Sequence, residues 1–65
     1  MFNTKFKKAQ RALNTEIEYA KHMAYTYMEQ CENEPSNESA HIQYDYWRGR
    51  RDAMIELKDK INPNQ

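Results

Sequence analysis

Between positions 13 and 31, apolar residues recur at alternating spacings of four and three: Leu13, Ile17, Ala20, Ala24, Tyr27 and Cys31, with Phe6 in the same frame upstream. This is the spacing of a heptad-like seam along one side of an α-helix. Residues 5–32 hold no Gly or Pro and are rich in Ala, Lys, Glu, Gln, Met and Leu. The pattern predicts one helix over about residues 5–32, roughly 40 Å long at 1.5 Å per residue, with Asn3 or Thr4 placed to cap its start. Lysines lead this helix and glutamates end it, against its dipole, so packing must hold it. The segment NEPSNES at 33–39 breaks the pattern. Pro35 disfavours helical backbone in the residue before it, and Ser36, Asn37 or Ser39 can cap a following helix, with Glu38 well placed at its positive end.

A second helix is predicted over about residues 39–61, ending at Asn62-Pro63. Ala40, Tyr44, Trp47, Met54 and Ile61 fall on one face, with Ile55 and Leu57 on its flanks. Gly49, the only glycine, costs about 1 kcal/mol against alanine inside a helix, and the expected reason for it is close approach of a backbone or a large ring. Asp45 with Arg48 and Glu56 with Lys60 have helix-surface pairing distances. A turn at 33–38 makes the helices antiparallel neighbours, so residues 1–65 form a single all-α domain, a two-helix antiparallel hairpin. Refolded on itself, the chain sets 17–27 opposite 44–47, and Phe6 and Leu13 opposite 54–61. The first helix carries a second apolar line, Ala12, Tyr19 and Met23. An arc that wide exceeds what one neighbouring helix covers, which predicts association into a dimer resembling a four-helix bundle, or binding to a different protein.

Composition narrows the classes. A core from 65 residues rarely contributes more than about 3–5 kcal/mol, and chains of this size add disulfides, a metal or a partner subunit. Cys31 is alone, which rules out an internal disulfide and fits a reduced, cytoplasmic setting; it reads as a small apolar residue at the end of the seam. An aromatic content of 12% argues against a disordered chain. Ten basic and ten acidic side chains cancel, so no net field draws the protein to nucleic acid or membranes. No apolar run reaches the roughly 18–20 residues that cross a bilayer, and the first residues, MFNTKFKK, do not form a secretory signal.

Signatures of catalysis are absent: there is no Gly-rich phosphate loop, no His-Glu-x-x-His and no paired cysteines. Cys31 and His41 could meet across the turn as nucleophile and base, but nothing supplies an orienting group or an oxyanion hole. His41 with Asp45, and Glu18 with His22, have i,i+4 spacing and read as solvated helix pairs rather than metal ligands. No enzyme activity, metal or cofactor is therefore expected. The densest segment is QYDYWRGRR at 43–51, which holds three arginines with two tyrosines and a tryptophan. Such a mixture suits a protein-binding hot spot, with Tyr19, Met23, Tyr46 and Arg48 as contact candidates. It also suits phosphate contact with base stacking, through Lys7, Lys8, Arg11, Arg48, Arg50 and Arg51.

The run Tyr46-Trp47-Arg48-Gly49-Arg50-Arg51-Asp52-Ala53, followed by Leu57-Lys58, resembles an aromatic, Gly, Asp-Ala pattern found in many short bacteriophage and prophage proteins of unassigned function. The resemblance covers about a fifth of the chain and carries no catalytic residue. It implies a small protein that binds a host protein or a phage nucleic-acid machine, in the host cytoplasm. The leading expectation is an interaction protein that binds another protein, as an inhibitor or adaptor. The alternatives are a nucleic-acid-binding hairpin dimer and a structural subunit of a larger assembly.

Overall fold

The computed structural model describes residues 2–61, with side chains from Lys5 onward. It contains two helices, α1 over Phe2–Asn33 and α2 over Glu38–Ile61, packed as an antiparallel hairpin. Helix α1 begins three residues earlier than the sequence predicts, so Asn3 and Thr4 lie inside it rather than ahead of it. The expected stop at Asn62-Pro63 lies outside the described residues. Helix α1 has no acidic residue in its first turn and no basic residue in its last, whereas α2 has Glu38 first and Lys58 and Lys60 last. Only α2 carries charges that favour its own dipole.

The connection is short, and several of its backbone groups are hydrogen-bonded. The Asn37 amide donates to the Glu34 carbonyl (2.9 Å), closing a tight turn with Pro35 and Ser36 at its centre. The Asn37 side chain then caps α2, its Oδ1 accepting from the Ala40 amide at 3.1 Å while Nδ2 donates to Glu34 Oε1 at 2.9 Å. Of the three candidate caps, Asn37 is the one used.

Packing along the seam is thin. Among the described residues, the buried apolar set is Ile17, Ala20, Ala24 and Ala40, and no large side chain is fully enclosed. Alanines let the two backbones approach, and bulkier seam residues (Leu13, Tyr27, Cys31, Tyr44, Trp47, Met54) stay half-buried around them. Phe6, expected in the α1 seam, is 40% exposed, and Leu57, expected on the flank of the α2 face, is 49% exposed. One neighbouring helix shields only the centre of each face, and residues at a flank or near the hairpin's open end remain wet. The α2 seam continues the frame 40, 44, 47, 51, 54, 58, 61, which places Arg51 and Lys58 among the half-buried positions. Their aliphatic stems cover the seam while their charges reach water.

Gly49 is the clearest reversal. A Cβ built on it would meet nothing within 4 Å, so no backbone or ring of this chain approaches it. It lies two residues beyond Trp47, about 200° around the helix and away from α1. The molecule is a rod of 52 × 16 × 15 Å, and its radius of gyration of 14.9 Å exceeds the roughly 11 Å of a compact 65-residue domain.

Candidate protein-contact surface

Helix α2 turns Trp47 toward α1, and the indole becomes the centre of a three-ring array. Tyr19 from α1 meets it edge to face at 5.4 Å, and Tyr46 meets it at 5.0 Å in the same T-shaped manner. Such contacts contribute about 0.5–1.5 kcal/mol each beyond area burial. The outer rings are only partly covered, with Tyr19 52% and Tyr46 54% exposed. Trp47 Nε1 is buried and has no hydrogen-bond partner, a deficit worth about 1–3 kcal/mol for an unmade bond.

At about 100° per residue, Ile42, Tyr46 and Leu57 share one flank of α2 within about 60° of arc. Tyr46 and Tyr19 meet the same indole, and Arg50 on this flank reaches Glu16 of α1 at 3.7 Å. Tyr19, half-buried Met23, Ile42 (67% exposed), Tyr46 and Leu57 thus lie along one side of the hairpin. Three of the four expected protein contacts, Tyr19, Met23 and Tyr46, are brought to that side.

Arg48 is not. It lies two residues beyond Tyr46, on the opposite flank, where its guanidinium stacks over the Tyr44 ring at 5.3 Å and pairs with Asp45 at 3.4 Å. That flank holds an open cleft of about 260 Å³ lined by Lys21, Ala24, Tyr25, Met28, Tyr44 and Arg51. The Tyr25 phenol has its pKa raised above the ordinary value by the Glu29 carboxylate, first as a hydrogen-bond acceptor for the hydroxyl and then through its charge, with desolvation and the Glu32 charge adding to it.

The cationic residues do not share a face. Arg48 and Arg51 lie toward the cleft flank and Arg50 toward the Tyr46 side, and each lies near a different carboxylate: Asp45, Asp52 (2.9 Å) and Glu16 respectively. Lys7, Lys8 and Arg11 are exposed on α1, roughly 8–14 Å along the axis from Glu16, the level at which Arg50 crosses. Near the turn, His41 Nε2–H donates to the Pro35 carbonyl (2.8 Å), so the imidazole braces the loop. Lys21 pairs with Glu18 at 3.3 Å. Among the described residues, no group of three or more His, Cys, Asp or Glu is placed to hold a metal ion, and no helix is long and apolar enough to cross a membrane.

No protein-family model, curated protein or solved structure matches this chain. The site therefore stands on its geometry.

Sequence reasoning missed Ile42, the most exposed of the large apolar residues. Its spacing of four from Tyr46 was the available signal. Leu57, expected on the flank of the packed face, lies there and is 49% exposed because the seam frame runs through Met54 and Lys58.

Proposed function

We propose that this hairpin is a non-enzymatic interaction protein that works by binding another protein through the Tyr19–Trp47–Tyr46 side. The resemblance to short phage proteins gives this reading its setting, as an inhibitor or adaptor acting in a host cytoplasm. The observation that carries it is the contiguous aromatic array, with its outer rings half in water and a buried indole N–H that lacks a partner. Rigid aromatic rings beside an uncovered apolar stripe are the composition of a protein-contact surface. A nucleic-acid surface would need cations gathered on one face, and here the arginines are divided between the two flanks and each is faced by its own carboxylate.

The test is the double substitution Tyr19→Ser with Met23→Ser, read by circular dichroism and by association. Retained helicity with weakened association is the expected result. Complete unfolding would place both residues in the core and end the proposal.

A further inference from the structure

The exposed stripe of α2 has an internal symmetry that bears on what covers it. Reading along it, the residues are Ile42, Tyr46, Gly49, Ala53 and Leu57, with Arg50 at its inner edge. Ile42 and Leu57 are equidistant from a point between Gly49 and Arg50, and so are Tyr46 and Ala53. A two-fold interface requires that if residue i meets residue j, then j meets i. Two antiparallel copies of α2 crossing at that point satisfy the condition. Ile42 would face the partner's Leu57, and Tyr46 would fill the space above the partner's Ala53. Gly49, where an added Cβ would meet nothing within 4 Å among the described residues, would let the two backbones approach at the crossing.

Area and charge agree with that arrangement. The chain exposes 5229 Å², whereas a compact monomer of 7.9 kDa exposes about 4400 Å². The excess, about 800 Å², is spread over the whole rod, and a standard-size interface buries about that much from each partner. Arg50 would come near its own copy at the axis, but Glu16 lies 3.7 Å away, so each protomer brings one cation and one anion there. The chain as a whole has no net charge to oppose pairing. The geometry points to a second copy of this chain as the occupant of the flank, held antiparallel with its two-fold axis between Gly49 and Arg50. This rests on the reading of the flank as a protein-contact surface; a different protein would compete with the second copy for it.

Sedimentation equilibrium of the full chain tests the association, and cysteine cross-linking tests the register. A dimer of about twice the 7.9 kDa chain mass is expected. Ile42→Glu and Leu57→Glu, both at positions exposed in the single hairpin, should raise its dissociation constant at least about tenfold, whereas Tyr25→Glu on the opposite flank should not. In a Cys31→Ser background, Gly49→Cys should form an intermolecular disulfide under mild oxidation. Ile42→Cys alone should not, because antiparallel crossing separates the two copies of that position by about 22 Å along the axis. A mixture of Ile42→Cys and Leu57→Cys chains should cross-link as a heterodimer. A monomer at every concentration would overturn the pairing while leaving the flank free for a different protein. Equal cross-linking at 42 and 49 would overturn the antiparallel register, and dissociation by Tyr25→Glu as well would overturn the assigned face. Unfolding by the Tyr19 and Met23 substitutions would instead defeat the underlying contact-surface reading.

Discussion

Gly49→Ala isolates a single physical effect. The position is the twelfth of the 24 residues of α2, far from either frayed end, and an added Cβ meets no atom within 4 Å. The change therefore makes no new contact and removes none within the hairpin. What remains is the backbone entropy that glycine loses on entering a helix, about 0.8–1 kcal/mol relative to alanine. Against a core worth roughly 3–5 kcal/mol, that is a large fraction. For a domain of 60–100 residues, a gain of 1 kcal/mol moves the melting temperature by about 4–8 °C. The measurement is urea and thermal unfolding by circular dichroism in an Ile42→Glu background at low concentration, where the single hairpin is the species present. Unchanged or reduced stability there would refute the reasoning, because it would mean that Gly49 does not occupy an open, undistorted helical position.

The remaining expectations probe the seam, the turn and the one perturbed phenol. Ile17 is 4% exposed; Ile17→Ala should cost about 2–5 kcal/mol and leave most of the chain unfolded at room temperature, visible as lost ellipticity at 222 nm. Asn37→Ala removes the α2 cap and should cost about 0.5–2 kcal/mol in a denaturant titration, with Asn37→Ser recovering most of the loss. Tyr25 should ionise above the ordinary phenol range when followed at 295 nm, and Glu29→Gln should lower its midpoint. Because its folded pKa is raised, the stability linked to Tyr25 is fully present below the unfolded phenol pKa and is lost as pH rises through the folded value. An unaltered midpoint in Glu29→Gln would dismiss the hydrogen bond as the cause.

The hairpin was legible because its signals are local. The four-three spacing of Ile17, Ala20 and Ala24 marks the buried stripe, and Pro35 with Asn37 marks the turn. Environments at the flanks were not legible, because a heptad frame does not say how far a single neighbouring helix extends over it. Phe6 and Leu57 are apolar enough for a core, yet no second helix covers them. Arg51 and Lys58 occupy seam positions that their charges conceal in a hydropathy pattern. On the candidate surface, Tyr19 and Tyr46 were recognised as hard to bury, and Trp47 joins them in space. Arg48 was grouped with them by proximity in sequence, but two residues along a helix is about 200° around it.

The tight turn at Glu34–Asn37 also sets an order of folding. Once Asn37 has closed on Glu34, the loop still to be ordered is very short for residues beside the turn and lengthens toward the open end. Each doubling of loop length adds about 0.6 kcal/mol of closure entropy, so contacts near the turn are reached first and the hairpin zips outward. Tyr19 and Trp47, 28 residues apart along the chain, join only after the helices near Ala24 and Tyr44 have met. Unfolding retraces that path. Amide protons near Ala24 and Ala40 should be the last to exchange with solvent, while those around Phe6 and Ile61 exchange through openings that leave the turn intact.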